Sequence, residues 1–272
     1  MPPPFTPQWS IHPSVVTGVA LLGILYFYAI GPWRRRRALG PSIEPWRPGC
    51  FVLGLLVLLG SLNGPIHDLS DTYLFSIHMV QHLLLTLALP PLLIAGTPGW
   101  LIDAMLRPQA VRAAMRFLTR PVVAGVIFSV VLLAWHTVDA YDLMMRSHEV
   151  HVATHLMFMA AAVLLWWPVV SPSALLPRLA AGMGMLYLFL VQIPMQALGA
   201  IITFADTPLY PWYTAAPRTF GLSPLNDQKL GGLLMWIPGN LWIWGAMSAL
   251  FFRWAKRERE EDGQAVRRSG GQ

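Results

Sequence analysis

Charged side chains are scarce in this sequence. Asp, Glu, Lys and Arg make up 12% of the 272 residues, whereas a soluble domain carries roughly 25%. Hydrophobic residues account for 55% of the chain and are gathered into long runs. This balance predicts that most of the chain lies in lipid, as an all-α, polytopic bundle of membrane-spanning helices.

Cysteine and the common catalytic motifs are also missing. Cys50 is the single cysteine, which excludes an internal disulfide and a C-x-x-C pair for metal binding or thiol exchange. The sequence has no G-x-S-x-G, P-loop, H-E-x-x-H or dinucleotide-binding fingerprint. These absences argue against hydrolytic and phosphate chemistry. The net charge of +6 is confined to particular loops, so nucleic acid is not an expected partner.

Seven apolar segments are long enough to cross a bilayer as helices. They predict a transmembrane domain over residues 1–255, followed by a charged and disordered tail over residues 256–272. The predicted spans are residues 13–31, 49–64, 74–96, 121–138, 150–170, 179–203 and 229–252.

Basic residues are divided unequally between the alternate loops of this bundle. Sixteen of the 19 Lys and Arg residues lie in one set of loops, which includes Arg34 to Arg37 and the C-terminal tail. In membrane proteins the cytoplasmic loops carry the excess of Lys and Arg. The sequence therefore predicts an N-terminus outside the cell and a C-terminus in the cytoplasm.

Two connecting segments carry further signals. Residues 100–119 set Leu, Ile and Met against arginines, which predicts an amphipathic segment on the cytoplasmic lipid surface. The loop over residues 204–228 is rich in Pro, Tyr and Trp, and we expect it to form an ordered cap over the outer end of the bundle. Asp227 near the end of this loop is expected to N-cap the seventh helix.

All eight histidines fall on the predicted outer side or in the outer half of a span. His78 and His82 are four residues apart in the third span, and His151 and His155 are four apart in the fifth, so each pair shares one helix face. If the two helices are neighbours, these faces predict a ladder of imidazoles with an upper and a lower rung. His78 and His151 would form the upper rung and His82 and His155 the lower one, a turn deeper. We expect His136 to join the upper rung.

Imidazole is a common ligand for copper, zinc, iron and haem. Facing pairs on two helices supply four nitrogens, so we predict a metal site made by His78, His82, His151 and His155, with His136 as a further ligand. Methionine is an ordinary filler of apolar helices, but thioethers favour Cu(I), and several methionines are near in sequence. These are Met79, Met144, Met145, Met157 and Met159.

Three other roles fit the same histidines. Facing imidazoles suit bis-histidine ligation of a haem in a membrane redox protein. Titrating histidines within spans also occur in transporters, and a copper transporter is a third hypothesis, although the inner half of the bundle offers almost no ionisable residue for a continuous path. Hydrogen bonds between helices are the simplest alternative.

The third predicted span carries the run from His78 to Leu85, H-M-V-Q-H-L-L-L, followed by Pro90-Pro91. This run resembles the H-M-x-Q-H-x-L-L motif of the CtaG family of cytochrome c oxidase assembly factors. The resemblance covers about residues 50–250 in the expected order. Its other parts are Trp135-His136 with Tyr141, His151-x-x-x-His155, Trp166-Trp167-Pro168 and the block from Leu225 to Pro238.

The resemblance implies a multi-pass protein of the bacterial plasma membrane that assists assembly of a haem-copper terminal oxidase and is not itself an enzyme. It further implies that the protein helps copper to reach its buried site in the oxidase, so that an oxidase subunit is the expected partner. The sequence leaves open which subunit this is and whether the protein forms a homo-oligomer.

Overall fold

The structure is a computed structural model, and it describes residues 10–218 and 220–269. These residues form helices and connecting loops, and no β-strand occurs among them. The expectation of an all-α fold is therefore confirmed. The helices are α1 (Pro13–Arg37), α2 (Trp46–Ser61), α3 (Gly64–Thr72), α4 (Phe75–Gly96), α5 (Gly99–Met105), α6 (Gln109–Leu118), α7 (Pro121–Trp135), α8 (Val138–Arg146), α9 (His148–Val170), α10 (Ala181–Phe204), α11 (Pro211–Ala215) and α12 (Pro224–Ser269).

Five of these helices, α1, α4, α9, α10 and α12, are each long and apolar enough to cross a membrane. Two further candidates are broken pairs, α2 with α3, bent by 43°, and α6 with α7, bent by 72°. The bundle thus has five to seven candidate spans, and the predicted count of seven is the upper value. The helices α2 and α7 do not qualify alone because they have 16 and 15 residues, fewer than the ~20 that a full span needs.

The two ends of the bundle differ in chemistry. At one end, which we call the arginine end, Arg47 donates to the Ala95 carbonyl at 2.9 Å, where α4 finishes beside the start of α2. At the opposite end, which we call the histidine end, α4 and α9 begin and the loop between α10 and α12 folds over them. Within that loop Trp212 donates to the Asp71 carbonyl at 2.8 Å, and Tyr213 is buried. The predicted aromatic cap is therefore confirmed.

A π turn begins two residues after His82 and interrupts α4 at Leu84–Ala88. Pro90 follows in the helix and has no N–H to donate, so the carbonyl four residues earlier, that of Thr86, loses its helical partner. The indole of Trp166 on α9 donates to this carbonyl at 2.9 Å. The hydrogen bond therefore satisfies the backbone and ties α4 to α9 immediately below the histidines.

Asp227 does not cap its own helix, as the sequence suggested. Its carboxylate instead accepts hydrogen bonds from the backbone N–H groups of Phe75 at 2.8 Å and Ser76 at 3.1 Å. It therefore caps the start of α4. The physical reason is that α12 begins earlier, at Pro224, so Asp227 already lies in the first helical turn and its fully buried side chain points to the neighbouring helix end.

We predict that Asp227→Ala lowers the free energy of unfolding by about 1–3 kcal/mol, because two N–H groups of α4 lose a charged acceptor. The measurement is thermal or denaturant unfolding of the purified protein in detergent. Asn226→Ala is the matched control, since the neighbouring Asn226 side chain is exposed. Equal stability of the two variants would contradict the capping role.

The last two long helices approach each other through glycines. A Cβ atom added at Gly232 on α12 would lie 2.8 Å from the Thr203 nitrogen and 2.9 Å from the Gly199 carbonyl oxygen of α10. Small residues allow membrane helices to pack this closely. Gly245, further along α12, faces open space.

We therefore predict that Gly232→Ala destabilises the protein by about 1–3 kcal/mol, because the two backbones must separate. Gly245→Ala should instead be neutral or stabilising by up to about 1 kcal/mol, since alanine is the better helix former. Unfolding curves of both variants in the same detergent test the pair. If the Gly232→Ala protein is as stable as the Gly245→Ala protein, the glycine contact does not limit how closely α10 and α12 pack.

The segment over residues 100–119 and the C-terminal tail differ from expectation. Leu101 and Ile102 of α5 are buried, so that only α6, which is largely exposed, has the amphipathic character predicted for the whole segment. The tail was expected to be disordered from residue 256, yet α12 continues to Ser269. Its Lys, Arg and Glu residues are good helix formers, and Lys256 pairs with Glu260 one turn on at 3.8 Å. Residues 270–272 lie outside the described residues.

Candidate metal centre

The helices α4 and α9 lie side by side and place four histidine rings in contact. Within each helix the ring centroids are one turn apart, at 4.4 Å for His78 and His82 and 4.5 Å for His151 and His155. Between the helices the centroids are 5.7 Å apart for His78 and His151 and 5.5 Å apart for His82 and His155. The structure thus brings the four rings into the two rungs expected from their spacing, and their role as ligands remains a prediction.

His136 lies in the lower rung, whereas we expected it in the upper one. Its ring centroid is 5.9 Å from that of His82 and 6.0 Å from that of Phe158 on α9. The physical reason is that α7 ends below the mouth of the bundle, and the nine-residue helix α8 covers its end. Sequence position placed His136 at a helix end but not at a depth.

The cluster is buried and its hydrogen bonding is incomplete. The five predicted ligands are each 0–8% exposed, yet four of their ring nitrogens have no hydrogen-bond partner among the described residues. A buried polar atom without a partner costs about 1–3 kcal/mol. Such a cost is offset when the nitrogens bind an ion, so the cluster is suited to hold one. The four atoms are His82 Nδ1, His136 Nε2, His151 Nε2 and His155 Nε2.

Two overlapping groups of side chains have spacing that suits one ion each. His78, His82 and His155 each offer a nitrogen within 4.8 Å of the others, and so do His78 and His151 together with an oxygen of Asp71. His78 belongs to both groups. The first group offers only nitrogen, and the second adds a carboxylate.

Tyr213 fixes which ring nitrogen of His78 carries the proton. The Tyr213 hydroxyl donates to the Ser70 carbonyl at 2.5 Å, and a carbonyl can only accept. The Nδ1 atom of His78, 3.0 Å from the same hydroxyl oxygen, must therefore donate to it. Burial raises the pKa of Tyr213 well above its usual value, which keeps the hydroxyl protonated. His78 is left with a lone pair on Nε2, the nitrogen that faces His82 Nε2 at 2.8 Å.

A backbone contact also fixes which ring nitrogen of His136 carries the proton. Its Nδ1 lies 2.8 Å from the carbonyl oxygen of Leu132 and donates to it, so the lone pair is on Nε2. The Tyr210 hydroxyl donates to the His136 carbonyl at 3.1 Å and anchors the residue to the aromatic cap. Outer hydrogen bonds of this kind orient metal-binding histidines and select their tautomer.

An acidic side chain lies at the outer face of the upper rung. Asp71 Oδ2 is 3.8 Å from His151 Nδ1 and 3.4 Å from His67 Nε2. His67 Nδ1 is in turn 3.3 Å from the amide nitrogen of Gln81, which also donates to the Ser61 carbonyl at 2.7 Å. The glutamine of the H-M-x-Q-H run therefore holds the outer part of the cluster in place.

Sequence reasoning missed several of these roles. His67 and Asp71 were not among the predicted ligands, although their four-residue spacing could have indicated a pair on one helix face. Tyr213 was assigned only to the cap. Of the five methionines considered near the histidines, Met79 lines a cavity with His82 and His136.

A groove of about 500 Å³ leads from the cluster along α1, α2 and α9. His67, Asp71, His151 and His155 line its polar part, and aliphatic side chains line the rest. The groove exists because α1 packs loosely, with Tyr26 as its one buried residue among those described.

The fold and the cluster define a helical membrane protein with a buried multi-histidine centre. A family described as cytochrome c oxidase caa3 assembly factor, Caa3_CtaG, matches residues 24–257. The match spans most of the chain, and the protein belongs to this family. The resemblance noted from the histidine motif is thereby confirmed.

Relatives of this chain include uncharacterized proteins of three mycobacteria. The proteins of Mycobacterium bovis and Mycobacterium tuberculosis are each 24% identical over 92% of this chain. The Mycobacterium leprae protein is 22% identical over 93% of it. The chain spans about two fifths of the length of these relatives, 40% in each case. No solved structure matches the chain.

Proposed function

We propose that this protein is a non-enzymatic membrane assembly factor that holds copper as cargo and passes it to a subunit of a haem-copper cytochrome c oxidase. The observation that carries the proposal is the set of four buried, unpartnered ring nitrogens on His82, His136, His151 and His155. Membership of the family supports a cytochrome c oxidase as the complex that the protein helps to assemble. The copper and its delivery are the proposed parts.

The donor set suits copper. Imidazole binds copper well, and thioethers favour its monovalent form. The cluster has more donors than one ion requires, with His78 common to two groups. An ion bound by such a set can exchange ligands one at a time, which is the property that a carrier needs and a permanent structural site does not.

The proposed orientation places the histidine end outside the cell and the arginine end in the cytoplasm of a bacterium, with the protein in the plasma membrane. The excess of basic residues at the arginine end supports this orientation. Copper would then reach the cluster from the outer side, past Asp71, and the oxidase subunit would accept it on that side.

Metal analysis of the detergent-purified protein after copper loading tests the proposal, together with its visible spectrum. We expect roughly one to two copper ions per chain, since each group of three ligand atoms suits one ion, and no haem absorption. A protein that retains no copper after loading contradicts the proposal, and its histidines would then serve as hydrogen-bonding groups between helices.

A haem-binding redox protein is the second candidate, and the groove favours it. The groove of about 500 Å³ reaches His151 and His155, which could provide an axial ligand to a porphyrin bound there. Incubation with haem followed by gel filtration separates the candidates. A Soret band that elutes with the protein and is lost in His155→Ala would establish the haem site.

A further inference from the structure

A small cavity of about 20 Å³ lies beside the lower rung of the ladder. Its walls include His82, His136 and three methionines from three different helices, Met79 on α4, Met195 on α10 and Met235 on α12. All five side chains are buried. A cavity of this size holds about one water-sized particle, so it has room for a single ion but not for an organic cofactor.

Both histidines present a lone pair without a partner among the residues described. His136 donates through Nδ1 to Leu132, and its Nε2 is free. His78 donates through Nδ1 to Tyr213, so its Nε2 accepts a hydrogen bond from His82 Nε2. The lone pair of His82 is then on Nδ1, which is also buried and unpartnered.

The geometry points to a second metal site in this cavity, selective for monovalent copper. His82 Nδ1 and His136 Nε2 provide the nitrogen ligands, and the thioethers of Met79, Met195 and Met235 provide soft sulfur ligands. Thioether with imidazole selects Cu(I) over the harder divalent ions. The upper rung, with the carboxylate of Asp71, has the opposite preference. This inference rests on the proposed function in taking copper as the cargo.

The two sites share His82, and this limits their occupation. A neutral imidazole has one lone pair, so His82 serves either the ladder through Nε2 or the cavity through Nδ1. Copper in the cavity therefore leaves the ladder with His78, His151 and His155. Sulfur ligation is the property by which copper in the cavity can be distinguished, since the two ligand groups of the ladder consist of imidazole nitrogens and the Asp71 carboxylate.

The test compares two double variants of the full-length protein in detergent. Met195→Leu with Met235→Leu removes two thioethers from the cavity, and Met185→Leu with Met247→Leu is the matched control on the same two helices, at partly buried positions in the core. Leucine conserves the volume of methionine, so both proteins should fold. Monovalent copper is supplied without oxygen from its bicinchoninate complex, and X-ray absorption reports whether sulfur is bound to it.

We expect a sulfur shell around copper in the wild type and in the control. The Met195→Leu, Met235→Leu protein should lose most of it and bind Cu(I) about tenfold or more weakly, since changes outside the ligand shell already cost ~10–100-fold. Copper surrounded by nitrogen alone in the wild type, with equal Cu(I) affinity in both variants, overturns the cavity site and leaves the proposed function standing. A wild type that binds no copper in either oxidation state overturns both.

Discussion

Replacing His82 and His155 together by alanine is expected to remove the copper bound at the lower rung. The group of His78, His151 and Asp71 keeps its ligands. The change removes two of the three imidazoles of the lower rung and leaves His78 as the single member of its three-residue group. Loss of groups that merely orient a ligand weakens metal binding by ~10–100-fold, so loss of two ligands should weaken it by more than about 100-fold. Copper per chain after gel filtration is the measurement.

His148→Ala is the matched control for this double variant. His148 lies at the start of the same helix as His155, but its side chain is exposed, so its removal should leave the copper content unchanged. The elution volume and the helical content of each protein establish that the fold is retained. Equal copper content in the wild type and the His82→Ala, His155→Ala protein would refute the histidine ladder as the copper site.

Tyr213→Phe is expected to weaken copper binding by ~10–100-fold without removing any ligand. Phenylalanine cannot accept the Nδ1–H of His78, so the imidazole is no longer held with its lone pair on Nε2 toward His82. The copper dissociation constant, measured by competition with a chelator of known affinity, is the readout.

Tyr187→Phe provides the comparison that separates affinity from stability. The Tyr187 hydroxyl also donates to a buried carbonyl, that of Leu165, at 2.8 Å. Tyr187 lies on the part of α10 that is away from the histidine cluster. Each variant loses a tyrosine–carbonyl hydrogen bond, and Tyr213→Phe also loses the bond from His78. Both should therefore lose stability, by about 0.5–1.5 kcal/mol for each hydrogen bond. Only Tyr213→Phe should change the copper affinity, and parallel behaviour of both variants would assign Tyr213 a purely structural role.

The sequence predicted those features that depend on near neighbours along the chain. The spacing of His78 and His82, and of His151 and His155, determines a shared helix face because the helical repeat is fixed. The length of the apolar runs identified the seven candidate spans. Neither the length of these runs nor the helical repeat depends on contacts with distant segments. These patterns could not show that α4 and α9 are adjacent, since helix adjacency depends on packing between distant segments.

Features that depend on long-range packing were missed or misplaced. The depth of His136 follows from α8 covering the end of α7, and no local pattern encodes that. Asp227 was assigned to its own helix because capping is usually local, whereas its carboxylate reaches a helix start about 150 positions earlier. Tyr213 and Ser70 meet across a separation of 143 positions.

The remote cap on α4 has a consequence for biosynthesis. A chain is made and inserted from its N-terminus, so α4 and α9 are in place before Asp227 and Tyr213 have left the ribosome. Until then the start of α4 has no acceptor for the N–H groups of Phe75 and Ser76, and the proton on His78 has no fixed position. The nascent protein therefore carries its histidines early, and the histidine cluster can become ordered only after Tyr213 and Asp227 have joined the bundle.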